Sequence, residues 1–225
     1  MSSSKKRGAF IVIEGLDRSG KSTQAATLVE RLQAKHIAVQ LQKFPDRTTT
    51  IGRMIDSYLR SESDLDDHTI HLLFSANRWE LATSIEETLN AGTIILCDRY
   101  AFSGIAFSAS KGLPFEWCRA PDVSLPAPDL ILFLDITPEK AKERGGYGEE
   151  RYEKEETQRK VRQIFGRMAE ETAAQYEKSN HGRWVTIDAS QSLEAVTADI
   201  WKVVEPFVEG LSGPIHRLWE GLDQP

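Results

Sequence analysis

Residues 9–23 read AFIVIEGLDRSGKST. The first six, Ala9–Glu14, form an apolar run with β-branched residues that stops abruptly at Gly15, the pattern of a buried strand. Gly15 to Ser22 then spell G-x-x-x-x-G-K-S. From Lys21 onward Leu28, Val29 and Leu32 recur at helical spacing. Strand, glycine loop and helix in this order make a phosphate-binding loop. Its glycines let successive backbone N–H groups curl around phosphate oxygens, which a Cβ would obstruct. The helix that starts at Lys21 adds its positive end to the same place. In this motif the lysine, here Lys21, reaches the β- and γ-phosphates and the hydroxyl, here Ser22, ligates Mg²⁺. The expected ligand is a nucleoside triphosphate.

Outward from this loop, Ile37–Phe44, Thr93–Asp98, Leu130–Asp135 and Trp184–Asp188 have the same strand character, read as apolar on both faces. Helical patterns cover Lys21–Lys35, Asp67–Asn90, Gln158–Glu177 and Leu193–Glu209. Alternation of this kind predicts an α/β fold with a five-stranded parallel sheet, helices on both faces and right-handed crossovers. Ligands of such sheets bind at the C-terminal ends of the strands. The length of 225 residues fits a single domain, and neither a repeat nor a low-complexity linker divides it.

Composition excludes several function classes. No apolar run approaches the ~18–20 residues of a membrane-spanning helix, so no membrane partner is expected. The chain holds 28 Lys+Arg against 34 Asp+Glu, a net charge of −6, opposite to that of a protein built to coat nucleic acid. Anionic ligands therefore need a local cluster of cations. Cys97 and Cys118 provide neither a disulfide framework nor metal-ligand spacing, and a reducing intracellular compartment fits them best. Met1–Arg7 reads as a short polar tail rather than a secretory signal. No Asn-Lys-x-Asp guanine-reading motif occurs, and the length leaves little room for a motor or transporter, so a small-molecule kinase leads.

The other strand ends supply candidates. In TIILCDRY, Asp98 is the first charge after a buried strand, placed to hold Mg²⁺ through water, and Arg99 could grip an acceptor phosphate. Phe44-Pro45-Asp46-Arg47 follows the second strand; Arg47 points across the sheet top or is simply solvated. Phe74 and Arg78, four apart, share one helical face and suit a planar heterocycle bearing an acceptor. They read equally as a core ring and an arginine paired to a surface carboxylate. Arg144–Tyr152, with three glycines amid charge, reads as a hinged flap or a plain loop. His68 and His71 read as helix-packing or solvent-exposed residues, and Trp117, Cys118 and Trp219 as packing residues.

Together the stretches GLDRSGKST, FPDRTTTIG, LLFSANRWE, DRYAFSGIAFS, PDLILFLD, RGGYGEERYE and VTIDASQS resemble the thymidylate kinase family. They run in order from residue 15 to about 192. The resemblance is closest to eukaryotic members, which carry an arginine in the phosphate loop, here Arg18. It implies a P-loop kinase fold with the phosphate loop at 15–22, an acceptor-binding region at about 44–110 and a lid at about 138–158. The implied reaction passes a phosphoryl group from ATP, with Mg²⁺, to dTMP.

By the same resemblance, Gly15, Arg18, Ser19, Gly20, Lys21, Ser22 and Thr23 bind ATP phosphates, and Arg144, Ser190 and Gln191 flank adenine. Ser22 and Asp98 hold the metal. Arg18 and Lys21 act on the transferring group. Asp17 accepts the sugar 3′-hydroxyl hydrogen bond, Arg47 and Arg99 hold the dTMP phosphate, and Arg18, Lys21, Asp17 and Arg99 form the catalytic set. Phe74 stacks on thymine, Arg78 donates to its O4, and Phe44, Ser103, Gly104, Phe107 and Tyr152 line the pocket. Arg151 is a second candidate for the charge on the transferring group. Phe107 stands where several relatives have tyrosine. A homodimer is implied, with Asp67–Asn90 as an interface element, and a location in the cytoplasm with the nucleus also open to it. A deoxynucleoside kinase would not need both Arg47 and Arg99, and a non-catalytic nucleotide-binding protein would not need Arg18, Lys21, Ser22 and Asp98 together.

Overall fold

The computed structural model describes residues 6–144, 151–152, 154–179 and 181–220. In chain order the strands are β1 (Phe10–Gly15), β2 (Val39–Lys43), β3 (Ile94–Asp98), β4 (Leu130–Asp135) and β5 (Arg183–Asp188). The helices are α1 (Lys21–Ala34), α2 (Thr50–Leu59), α3 (Asp67–Asn90), α4 (Ala101–Ala109), α5 (Phe115–Arg119), α6 (Pro138–Glu143), α7 (Glu155–Ser179) and α8 (Leu193–Val204). The five strands form one parallel sheet in the order β2-β3-β1-β4-β5, with Val12 opposite both Cys97 and Ile131. Helices α1 and α8 pack together over one face, and α3, α4 and α7 over the other.

The central strands β1 and β3 are buried along their whole length, and β4 up to Asp135, as the apolar runs predict. The two outer strands depart from that reading. In β2, Gln40, Leu41 and Lys43 are exposed, and in β5 so are Arg183, Thr186 and Asp188. An edge strand has helices over only part of its two faces, so it need not be apolar on both. The polar residues Gln40, Gln42 and Thr186 already carried that signal.

Helix α7 starts three residues before its predicted first residue, and α8 stops at Val204, where Glu205–Phe207 tightens into a 3₁₀ turn. Pro206 cannot donate the next helical hydrogen bond. Helix α4 gives no amphipathic stripe because nearly every residue from Ala101 to Ser108 is buried, so periodicity alone does not reveal it. Helix α2 is capped by Thr49, whose Oγ1 accepts from Gly52 N at 2.9 Å. The stretch expected to act as a lid contains α6 and the first turn of α7, while its Gly145–Glu150 portion lies outside the described residues. Among the described residues no helix is long and apolar enough to cross a membrane. The C-terminal ends of β1, β2, β3 and β4 converge on one rim of the sheet, and the polar side chains singled out in the sequence gather there.

Candidate active site

The rim is organised from the end of β1. Glu14 is completely buried, and its carboxylate accepts from Tyr100 N at 2.9 Å, Ser103 N at 3.1 Å and Ser103 Oγ at 2.5 Å. It thereby caps α4 from a neighbouring strand. Burial pushes the carboxyl pKa up, against the opposing pull of the Ser103 hydrogen bond and the Arg99 charge. The sequence reading treated Glu14 only as a strand end. A carboxylate closing an otherwise apolar strand was the signal available.

Next, Gly15 has a φ of +151°, and a Cβ there would lie 2.7 Å from Leu134 O, so only glycine fits. Gly20 has a φ of +93° as the residue that opens α1. Lys21 is buried, donating to Leu16 O at 2.5 Å and to Ser19 Oγ at 3.3 Å. Burial first, and the neighbouring Arg99 charge second, lower its pKa to about 7. Ser22 Oγ donates to Asp98 Oδ2 at 2.6 Å, so the two expected metal residues meet directly.

Beside the loop lies a cavity of about 320 Å³, within the range of small-molecule sites. All ten residues expected around the acceptor line it: Asp17, Phe44, Arg47, Phe74, Arg78, Arg99, Ser103, Gly104, Phe107 and Tyr152. Arg18, Lys21, Ser22 and Asp98 complete its phosphate end. Arg99 adopts a positive φ of 68° and donates to Gly15 O at 3.0 Å and Ser103 Oγ at 3.1 Å while pairing with Asp17. Gln158, fully buried on α7, holds Asp17 from behind. Its Nε2 donates to Asp17 Oδ2 at 2.7 Å and Tyr152 O at 3.0 Å, and its Oε1 accepts from Asp17 N at 3.1 Å. Sequence reasoning missed Gln158, because a glutamine near a helix start carries no pattern.

At the far end, Arg78 is 2% exposed and forms a two-pronged pair with Asp122: Nε to Oδ1 at 3.1 Å and Nη2 to Oδ2 at 2.6 Å. Ser75 Oγ adds a bond to Asp122 at 2.7 Å. Neither open reading of Arg78 fits entirely, since its partner is a carboxylate with no exposure at all, and Arg78 still lines the cavity. A Cβ on Gly104 would come within 2.8 Å of Arg78 Nη2, so the glycine lets α4 lie on the guanidinium. Arg47 donates to Asp56 at 2.6 Å, from the turn after the cis Phe44–Pro45 bond.

Arg151 points elsewhere. It donates to Tyr58 O at 3.1 Å, Ser63 O at 3.0 Å and Asp64 Oδ1 at 2.6 Å, and it does not line the cavity. Its partners fix the described end of the flap to α2, next to Tyr152, whose ring lies 5.3 Å from that of Phe107. Thr23, Ser190 and Gln191 also lie outside the cavity, as does Arg144, which bridges Arg18 O at 3.2 Å and Ala189 O. Asp188 shapes the turn beyond Ala189, accepting from Ser190 N at 2.9 Å, while its carbonyl accepts from Gln191 Nε2 at 3.1 Å. Two neighbouring regions result, a half-open cavity and a shelf between Arg144 and the loop after β5, with the phosphate loop joining them.

Comparison with known proteins gives the same picture over nearly the whole chain. The family model described as thymidylate kinase matches residues 13–200. Thymidylate kinase of Schizosaccharomyces pombe is 54% identical over 202 residues, covering 90% of this chain and 94% of that one. The Arabidopsis thaliana thymidylate kinase is 50% identical over 220 residues, covering 97% of this chain and 80% of the relative. The solved structure of thymidylate kinase from Candida albicans superposes with a TM-score of 0.84 at 38% identity, covering 95% of this chain and 99% of that chain. With the family model matched over residues 13–200 and relatives 50% and 54% identical over most of its length, the chain belongs to the thymidylate kinase family.

Proposed function

We propose that the protein transfers the γ-phosphoryl group of ATP to dTMP, giving dTDP and ADP, with dTMP in the cavity and adenine on the shelf. The observation that carries this reading is the cavity itself. It has arginines at both ends, Arg47 and Arg99 near the phosphate loop and Arg78 at the base end, with the Phe74 ring between α3 and the cavity. Two arginines beside the loop suit an acceptor that already bears a phosphate. Arg78 offers only donors, which suits thymine O4 and opposes the N4 amine of cytosine. Leaving two donors facing each other in a buried site costs at least ~1–3 kcal/mol.

Transfer of this kind requires positioning and charge neutralisation more than bond-making groups. The two nucleotides bring about six negative charges, ~4 from the triphosphate and ~2 from the monoester. Arg18, Lys21, Arg47 and Arg99 supply four positive ones, and a divalent cation supplies the rest. Ser22 and Asp98 suit Mg²⁺, which takes hard oxygen ligands and usually combines one or two carboxylates with substrate phosphates. When bound, the ion would neutralise charge on the β- and γ-phosphates. Asp17, held by Gln158 and Arg99, fits the role of orienting the sugar. Arg18 acts on the transferring phosphoryl group. Closure of the flap over the shelf would exclude water and limit ATP hydrolysis.

We further propose a homodimer through α3, acting in the cytoplasm, with the nucleus as a second location. Leu72 and Trp79, seven residues and about two turns apart on α3, are 47% and 42% exposed, which supports an apolar face there. Sedimentation equilibrium at micromolar concentration is expected to give a dimer, and a monomer under those conditions overturns the assembly.

The reaction itself is tested by ADP release with ATP and dTMP, dUMP, dCMP, UMP or thymidine, with and without Mg²⁺. Fast release with dTMP, slower release with dUMP, little with dCMP and none without the metal are expected. Release with thymidine but not dTMP contradicts the acceptor assignment. A second prediction concerns Lys21. With its pKa at about 7, about nine in ten copies are neutral at pH 8. An anionic triphosphate raises that pKa, so ATP binding at pH 8 takes up close to one proton. Calorimetry in buffers of different ionisation enthalpy reads the uptake, and Lys21→Met should remove it. Binding without proton uptake means that Lys21 is already charged before the nucleotide arrives.

A further inference from the structure

Helices α1 and α8 pack together over one face of the sheet. The buried residues of α8 are all apolar: Val196, Ile200, Trp201 and Val204. On α1, Gln24, Leu28 and Leu32 are buried at intervals of four, so they share one helical face. Farther along the same contact, the Arg31 guanidinium lies 3.8 Å over the Trp201 ring. Gln24, 3% exposed, brings an amide into these surroundings. Its Nε2 donates to Leu193 O at 3.2 Å, and its Oε1 accepts from Thr197 Oγ1 at 3.0 Å. A backbone carbonyl only accepts, so the amide nitrogen must be the atom that faces Leu193. An apolar side chain of the same length would fill this space and tolerate small slides of one helix on the other. The amide does not, because a slide would leave a buried donor and a buried acceptor unpaired.

What this link joins gives it a role. Gln24 lies one turn into the helix that the phosphate loop opens, and its N donates to Gly20 O at 3.0 Å. Leu193 directly follows the turn after β5, and Ser192 between them caps α8 by accepting from Ala195 N at 3.3 Å. Arg144 joins the same two parts from the other side, through Arg18 O and Ala189 O. We infer that Gln24, with Thr197 as its partner, is a positioning residue of the donor site, fixing the shelf at a set distance from the phosphate loop. Neither residue lines the cavity. A nucleotide has a fixed reach between its base and its terminal phosphates. A displaced shelf therefore misplaces one end whenever the other is seated. The inference rests on the reading that adenine lies on the shelf.

The test measures calorimetric binding of ADP and of inorganic tripolyphosphate, together with KM for ATP and dTMP. It compares the unaltered protein with Gln24→Met, Thr197→Val, Thr197→Ser and Arg144→Met. Tripolyphosphate needs only the phosphate loop, whereas ADP needs loop and shelf in register. Gln24→Met should raise the ADP Kd and the ATP KM about fivefold, the scale of one buried hydrogen bond. Tripolyphosphate affinity, kcat and the dTMP KM should each stay within about twofold. Thr197→Val should show the same selective loss, and Thr197→Ser, which keeps the hydroxyl, should recover most of it. A merely structural role would weaken tripolyphosphate and ADP alike, and that result overturns the proposal. So does an unchanged ADP affinity in Gln24→Met when Arg144→Met has lost affinity for ADP. If Arg144→Met also binds ADP normally, the shelf reading falls and the inference falls with it.

Discussion

A single buried carboxylate holds the working rim together. Glu14 ends the central strand with no exposure, and everything its oxygens accept from belongs to the start of α4. A carboxylate without partners in such a place would be very costly, so its three donors fix α4 against β1. The consequences spread outward. Ser103, held by Glu14, accepts from Arg99, and Arg99 also donates to the backbone of Gly15 and pairs with Asp17. Gln158 completes the chain by tying Asp17 to the carbonyl of Tyr152 on the flap. The phosphate loop, the acceptor arginine and the flap are thus connected by hydrogen bonds to one point in the core.

That arrangement reconciles an acidic protein with two highly charged substrates. The overall charge is −6, while six cationic side chains, Arg18, Lys21, Lys43, Arg47, Arg78 and Arg99, converge on one cavity. Crowding them there has an electrostatic cost, visible in the Lys21 ammonium, whose neighbouring Arg99 joins burial in lowering its pKa. The bound phosphates relieve that repulsion. An uncrowded site would gain less from binding them. The same logic applies at the base end, where Asp122 neutralises Arg78 and sets its plane while the guanidinium still faces the cavity.

Much of this was legible in the sequence, and for identifiable reasons. The phosphate loop carries steric requirements so specific that its spacing fixes strand, turn and helix together. The buried strands β1, β3 and β4 were apparent because both of their faces are covered. Edge strands β2 and β5 blurred the pattern, since their polar residues reach solvent. Helix α4 escaped periodicity because it is buried nearly all round. Within the site, residues that face the cavity could be located from strand ends and helix spacing. Glu14 left only a carboxylate closing an apolar strand, and Gln158 and Asp122 left no pattern, because each acts through a partner between 44 and 141 positions away in the chain. Such partnerships exist only once the chain has folded.

The central claim is that Glu14 holds the acceptor arginine in place, and Glu14→Gln tests it most directly. The amide fills the same space but presents a donor where Ser103 needs an acceptor, and it removes the negative charge beside Arg99. Calorimetric titration with dTMP, on a variant shown by its thermal unfolding to be folded, should give a Kd raised about tenfold or more, the scale of one charged hydrogen bond. ATP affinity should change by less than about twofold. An unaltered dTMP affinity in a folded variant would contradict the account and leave Arg99 positioned by the phosphate loop alone.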